Sequence, residues 1–175
     1  MASDDDILKS AAEYFGKTRD TREPGAGTPP EEMEARRRQQ IIEREVRIVG
    51  VFESPQGGPF VLLRDTRGRN LPIFVGPAEA LSITLAVDGH PPARPLTHDL
   101  IKQLMERLGA RVDSVLVDDL YKNVFYAKLA LRHGDKVQDV DCRSSDAIAI
   151  ALRYRAPIYV ADHVLEEGQC EVSDD

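Results

Sequence analysis

Two short segments carry side chains whose types and spacing suit chemistry on a phosphate group. The first is Arg94-Pro95-Leu96-Thr97-His98-Asp99, where a helix is predicted to begin. The free N–H groups of a helix N-terminus attract anions, so a bound phosphate would meet His98 as general acid or base and Arg94 as an electrostatic clamp. The alternative, in which Thr97 caps the helix, Asp99 complements its dipole and His98 packs, is favoured on spacing alone.

The second segment is Asp139-Val140-Asp141-Cys142-Arg143-Ser144-Ser145-Asp146. Asp141 and Arg143 share one face at the end of a predicted strand, and Asp146 lies in the first turn of the helix that follows. Carboxylate oxygens are the ligands that Mg²⁺ and Mn²⁺ prefer, which makes Asp141 and Asp146 candidate metal ligands. A surface pair between Asp141 and Arg143, beside an ordinary helix-start acid, explains the same pattern equally well.

The elements that must position these residues follow from the hydrophobic pattern. In the first half of the chain, short apolar runs between turn residues predict strands at 46–52, 60–63 and 71–75. Gly76-Pro77 then opens a helix that is apolar nearly all round, so we expect it to be buried. A second, amphipathic helix begins at Thr97 and ends at Gly109.

The same order of elements recurs in the second half. Strands are predicted at 112–117, 124–129, 137–142 and 158–161. Asp118-Asp119 reads as a turn, with a metal ligand as the alternative. Ser144 or Ser145 is expected to cap a buried helix, and a short helical turn is predicted at 162–167.

Glu79-Ala80-Leu81-Ser82-Ile83-Thr84-Leu85 aligns position by position with Asp146-Ala147-Ile148-Ala149-Ile150-Ala151-Leu152. Together with the shared element order, this predicts an internal duplication of a β3α2 unit. The predicted fold is a single α+β domain over residues 45–168, with halves at 45–109 and 110–168 and helices covering one or two mixed sheets. A charged leader, disordered or partly helical, would precede it at 1–44, and an acidic tail would follow at 169–175.

Composition narrows the classes of function. A net charge of −7 argues against bulk electrostatic coating of nucleic acid, but it allows a local cationic site. No apolar run approaches the roughly 18 residues that span a bilayer, and the acidic start is unlike a secretory signal, so a cytoplasmic protein without a membrane partner is predicted. Cys142 and Cys170 form no metal or disulfide pattern. The chain allows a homo-oligomer, and the leader is a candidate docking arm for a protein partner.

Several segments, taken in order, resemble the bifunctional nuclease domain family. They are Ile73-Phe74-Val75-Gly76 leading into Glu79-Ala80, the segment from Arg94 to Leu100, Phe125-Tyr126-Ala127, Asp141-Cys142-Arg143-Ser144-Ser145-Asp146-Ala147-Ile148-Ala149, and Ala156-Pro157-Ile158. The resemblance runs from about Val46 to Glu167. It implies a fold made by duplicating a β3α2 motif, and DNase and RNase activity.

Carried over to this chain, the family's polar signature falls on Arg94, His98, Asp99, Asp141, Arg143 and Asp146. The resemblance implies a nuclease in which His98 transfers a proton and Arg94 and Arg143 bind phosphate. Asp99, Asp141 and Asp146 would then bind a divalent cation such as Mg²⁺ or Mn²⁺, and no organic cofactor is implied. Ser144 departs from the family, which usually has proline there. The alternative is a non-catalytic regulatory or protein-interaction domain.

Overall fold

Within the residues that the structure describes, seven strands form one sheet, with two helices between the third and fourth strands and one helix on each side of the seventh. The computed structural model describes residues 42–55 and 57–170. The strands are β1 (Glu43–Glu53), β2 (Pro59–Asp65), β3 (Asn70–Phe74), β4 (Ala110–Tyr121), β5 (Val124–His133), β6 (Lys136–Arg143) and β7 (Ile158–Ala161). Their order across the sheet is β3-β2-β1-β7-β4-β5-β6. Only the β4–β7 pair is parallel, so the sheet is mixed.

Four helices accompany this sheet in the described part of the chain: α1 (Pro77–Val87), α2 (Thr97–Arg107), α3 (Ser144–Tyr154) and α4 (Asp162–Gly168). Helix α3 packs against α1, α2, β4 and β5, and every residue from Ala147 to Ala151 is buried. Helix α1 is different, because Leu81 and Val87 remain 55% and 45% exposed. Burial was therefore predicted correctly for α3 and wrongly for α1, whose outer face no described element covers.

The α+β class, the mixed sheet and the single domain predicted from the sequence are confirmed. The first half runs β1-β2-β3-α1-α2, and the second runs β4-β5-β6-α3-β7-α4. Both helices that were aligned with each other follow the third strand of their half. However, β7 separates the last two helices and inserts between β1 and β4, so the halves differ in element order. The internal duplication stays a prediction.

One predicted turn is instead part of a strand. Asp118-Asp119 is not a turn, because β4 continues through a bulge to Tyr121, and the chain reverses at Lys122 and Asn123 with φ of 48° and 62°. Asp118 is buried, and Lys128 Nζ lies 2.6 Å from its Oδ2. No hydrogen bond from a described residue reaches its Oδ1.

Neither predicted hydroxyl cap forms. Helix α2 begins with Thr97 as its first residue and Leu96 as its N-cap, and α3 begins with Ser144 after Arg143. At α2 the Asp99 carboxylate instead accepts a hydrogen bond from the Leu96 N–H at 2.9 Å. Because Ser144 occupies a first-turn position that tolerates proline, its departure from the family pattern is compatible with the helix.

The boundaries predicted for the leader and the tail fall mostly outside the described residues. Residues 1–41 and 171–175 are not described, and β1 already begins at Glu43. Cys170 forms an isolated bridge with Asn70. Among the described helices, none is both long and apolar enough to cross a membrane.

An ion-pair cluster fixes α4 against β1 and the β2–β3 turn. Asp162 Oδ1 accepts hydrogen bonds from Arg44 Nε and Arg69 Nη2, both at 2.8 Å. Arg69 Nε also donates to the buried carboxylate of Asp65 at 2.8 Å. The hydrogen bond from Arg44, and then that from Arg69, lower the pKa of the Asp162 carboxyl to about 2. The cluster therefore links β1, the β2–β3 turn and α4 through charge.

We predict that Asp162→Asn destabilises the fold at neutral pH but has little effect at strongly acidic pH. Since the folded pKa is depressed, the stability from this carboxylate is complete above the unfolded value of 3.8 and is lost as the pH falls toward about 2. Urea unfolding at several pH values measures this difference. Asp139→Asn, at an exposed acid of β6 without an ion pair in the described chain, is the control. A stability difference that stays constant down to pH 2 would refute the assignment.

Candidate functional site

The two segments selected from the sequence meet where α2 packs against α3. His98 Nε2 lies 3.0 Å from Asp146 Oδ1, although the two residues are 48 positions apart in the chain. Helix α2 carries His98 in its first turn, and α3 carries Asp146 in its first turn. The N-termini of both helices therefore present their polar side chains to one place.

His98 is buried and joins three helices. Only 6% of the residue is exposed, and its Nδ1 lies 2.9 Å from the hydroxyl of Ser82 on α1. Burial alone would raise the pKa of the Asp146 carboxyl, but the hydrogen bonds from Arg143 and His98 outweigh burial and lower it. Because Asp146 is then a carboxylate and only accepts, His98 Nε2 carries a proton. In the neutral imidazole, Nδ1 then accepts from the Ser82 hydroxyl.

Arg143 closes this arrangement on the solvent side. Its Nε donates to Asp146 Oδ2 at 2.7 Å, and its Nη2 donates to Glu79 Oε1 at 2.7 Å. These hydrogen bonds, first that with Asp146 and then that with Glu79, raise the pKa of the Arg143 guanidinium further. The side chain is nevertheless 68% exposed, and Nη1 makes no hydrogen bond to a residue that the structure describes. We call Glu79, Ser82, His98, Arg143 and Asp146 the junction cluster.

Gly76 lies next to the carboxylate of Glu79 that contacts Arg143. The Glu79 carboxylate folds back over Gly76, the N-cap of α1, and a Cβ at this position would overlap Glu79 Oε2. A glycine at position 76 therefore leaves space for the carboxylate that holds one side of the guanidinium.

Asp99, the third polar residue of the first segment, faces a different partner. Its Oδ1 accepts a hydrogen bond from Arg153 Nε at 2.7 Å, while Arg153 Nη1 donates to the Ala149 carbonyl at 2.8 Å. Burial would raise the pKa of the Asp99 carboxyl, but the hydrogen bonds from Arg153 and the Leu96 N–H lower it below its ordinary value. Asp99 and Arg153 thus form a second polar contact between α2 and α3, two helical turns from Asp146.

Arg94 and Asp141 lie outside both contacts. Arg94 is exposed in the loop before α2, and Asp141 is exposed on β6 opposite Lys128 of β5. Neither side chain has a hydrogen bond or ion pair with another residue in the described ranges. The proposed phosphate contact of Arg94 and the metal contact of Asp141 stay predictions.

The three aspartates predicted to bind a divalent cation do not converge in this conformation. Both oxygens of Asp146 and both oxygens of Asp99 already accept hydrogen bonds, and Asp141 lies on the neighbouring strand. Within 42–55 and 57–170, no three His, Cys, Asp or Glu side chains are grouped as ligands. The arrangement therefore does not fit a metal site made of these three aspartates.

Sequence reasoning missed two members of these contacts and undervalued a third. Ser82 and Arg153 were not selected, and Glu79 was considered only as the position aligned with Asp146 and as part of the family resemblance. Ser82 lies three positions after Glu79, on the same helix face, and Arg153 lies seven positions after Asp146. This spacing was the available signal, but a serine within an apolar helix does not indicate its partner.

The chain is similar in sequence to one family of known proteins. The model of the bifunctional nuclease domain family matches residues 61–173, so the chain belongs to this family. An uncharacterized protein of Mycobacterium tuberculosis is 44% identical over 133 residues, which are 75% of this chain and 79% of the relative. Bifunctional nuclease 2 of Arabidopsis thaliana is 30% identical over 137 residues, 71% of this chain and 42% of the relative. Bifunctional nuclease 1 of the same plant is 30% identical over 123 residues, 63% and 38% respectively.

The tautomer of His98 is directly testable. Nitrogen-15 NMR at neutral pH should show the proton on Nε2 of His98, because Asp146 accepts it. In Ser82→Ala the same tautomer should persist, while the free energy of unfolding falls by about 1 kcal/mol because a buried acceptor loses its donor. Ser114→Ala, which alters a half-buried serine on β4, should leave the His98 signals unchanged. A proton on Nδ1 in the native protein would contradict the assignment.

Proposed function

We propose that this protein is a nuclease that hydrolyses phosphodiester bonds in DNA or RNA at the junction cluster. Membership of the bifunctional nuclease domain family, and relatives that carry the name bifunctional nuclease, support a nuclease-related role. The observation that carries the proposal is how Arg143 is held and how much of its side chain is exposed. Two carboxylates hold its Nε and Nη2, while Nη1 and most of the side chain face solvent.

A guanidinium held in this way suits a phosphodiester. Arginine presents a rigid planar fork whose unused N–H groups can donate to a non-bridging phosphate oxygen. Because Glu79 and Asp146 fix the orientation of the guanidinium, little conformational entropy is lost when the phosphate binds. Arg143 would then stabilise the negative charge that develops on the phosphorus oxygens during attack by water.

Asp146 is the group that would orient the attacking water. Its lowered pKa keeps it ionised, and its side chain is 25% exposed. A carboxylate has about four acceptor positions, so Asp146 can accept from a water while it remains bonded to His98 and Arg143. It holds the water's oxygen toward the phosphorus of a diester that contacts Arg143.

His98 acts in this scheme through Asp146. Both ring nitrogens already have partners and the imidazole is buried, so contact with the substrate would require it to leave its site. We therefore treat His98 as a positioning residue for Asp146. The alternative is that His98 transfers a proton directly. In that case His98→Gln would change the pH dependence of cleavage.

We also propose that cleavage needs a divalent cation, because of the charges around Arg143. Glu79 and Asp146 place two negative charges against the single positive charge of Arg143, so an anionic diester would meet a net negative site. A divalent cation such as Mg²⁺ or Mn²⁺ rests on this charge balance alone, because the three aspartates expected to hold it do not converge. Assays with EDTA test this requirement separately from the residues.

We predict that Arg143→Ala lowers the rate of cleavage of single- and double-stranded substrates by about 100-fold or more, because it removes the group that stabilises the transition-state charge. Arg143→Lys should retain a fraction of the activity, since it keeps the charge but not the fork. The measurement is a gel assay of DNA and RNA cleavage with highly purified protein and Mg²⁺, Mn²⁺ or EDTA.

Arg111→Ala is a matched control, because the Arg111 side chain is also 68% exposed and also pairs with an aspartate. It should leave the rate unchanged. Equal activity in the native protein, Arg143→Ala and Asp146→Asn would assign the cleavage to a contaminant. Absence of cleavage under every metal condition would favour the regulatory or protein-interaction domain.

A further inference from the structure

A cleft of about 450 Å³ opens at the other end of α3 from the junction cluster. It lies between the last turn of α1, the loop that follows α1, the outer side of α2 and the C-terminus of α3. Residues that line it include Leu85, Pro91, Gln103, Leu152, Arg153 and Arg155. A volume of this size falls within the range of roughly 300–1,000 Å³ that small-molecule sites occupy.

One side of the cleft is apolar and rigid. Leu85 and Leu152 contribute aliphatic side chains, and the loop after α1 contributes Pro91 and Pro92. This loop is held against α1, since the N–H of His90 donates to the Leu85 carbonyl at 3.0 Å. Proline has a fixed φ, so the wall needs little ordering when a ligand binds. An apolar wall held in this way suits the face of a planar ring.

On the other side of the cleft, Arg155 contributes a positive charge that has no ion-pair partner among the described residues. Arg153 and Asp99 line the cleft but neutralise each other through their 2.7 Å ion pair. Arg155 is exposed and makes no ion pair or side-chain hydrogen bond with the part of the chain that the structure describes. The exposed carboxamide of Gln103 adds a group that can both donate and accept. The polar side therefore suits an anion next to a hydrogen-bonding ring edge.

The backbone of Arg155 supports a role for its side chain. Arg155 ends α3 in the left-handed conformation with φ of 52°, a position that favours glycine. The turn is completed by a hydrogen bond from the Ala156 N–H to the Ala151 carbonyl at 2.9 Å. An arginine in this strained conformation lines the cleft, and its charge has no partner among the described residues.

We propose that this cleft binds a single nucleotide unit. The base lies on the wall formed by Leu85, Pro91 and Leu152, its polar edge is read by Gln103, and its phosphate pairs with Arg155. The shared ligand chemistry is a planar heterocycle that carries a phosphate, either as a free mononucleotide or as one unit of a single strand. The inference goes beyond the proposed function, because it requires binding at a second place and no bond cleavage.

The test is calorimetric titration of the full-length protein, in EDTA to prevent hydrolysis, with the four nucleoside 5′-monophosphates. Parallel titrations use the corresponding nucleosides, inorganic phosphate and a short single-stranded oligonucleotide. Arg155→Gly removes the guanidinium and supplies the residue that the left-handed turn favours, so it should fold. We expect it to weaken nucleotide binding by about tenfold or more, because a charge-assisted hydrogen bond is lost.

The matched control is Lys122→Gly, which removes another cation at positive φ, in the β4–β5 turn and outside the cleft. It should leave the affinity unchanged. Gln103→Ala should change the preference among the four bases rather than abolish binding. Thermal unfolding verifies that each variant is folded.

Binding of mononucleotides with loss in Arg155→Gly supports the free nucleotide as ligand, and binding of the oligonucleotide alone supports a unit of a strand. Equal affinity for inorganic phosphate and mononucleotide would overturn the proposal, as would unchanged binding in Arg155→Gly or no binding of any nucleotide. Arg143→Ala alters the junction cluster and no residue that lines the cleft, so its failure to cleave reports only on the proposed nuclease function.

Discussion

The imidazole of His98 is the contact on which the arrangement of the helices depends. It lies buried between α1 and α3, with a hydroxyl on one ring nitrogen and a carboxylate on the other. A buried imidazole with an unpaired nitrogen is costly, so each of the three helices must lie where its polar group can reach this ring. The same contact holds Asp146 in the orientation in which it receives Arg143. The buried imidazole thereby links the packing of the helices to the position of the exposed Arg143.

Helix α3 is the element through which this linkage passes. Its alanines and isoleucines are buried against the sheet and the other helices, and the small side chains allow α1 and α2 to approach closely. Its polar residues lie at the two ends, where Asp146 contacts His98 and Arg153 contacts Asp99. The apolar middle fixes the position of the helix, and the two polar ends define two surface regions. One region presents Arg143 to solvent, and the other borders the cleft at Arg155.

The chain as a whole is acidic, but each of the two surface regions carries an exposed arginine. The protein carries a net charge of −7, which opposes unspecific binding to nucleic acid. Arg143, oriented by two carboxylates, and Arg155, which has no partner in the described chain, then present guanidinium donors at defined points. A member of the bifunctional nuclease domain family built in this way would recognise a phosphate locally, through oriented guanidinium groups, rather than through a broad basic surface.

The sequence by itself determined the family, the α+β class and every strand and helix of the described chain, because hydrophobic periodicity and turn residues are local properties. It also predicted His98, Asp99, Arg143 and Asp146 as candidate site residues, and the fold places them at the α2–α3 contact. Tertiary structure alone decided the partners: Ser82 and Glu79 reach the junction cluster, Arg153 takes Asp99, and Arg94 and Asp141 remain outside. It likewise decided that Asp118-Asp119 continues a strand and that neither hydroxyl caps its helix. The side-chain partners depend on which residues meet across long sequence separations, such as the 48 positions between His98 and Asp146, and no local pattern encodes such a meeting.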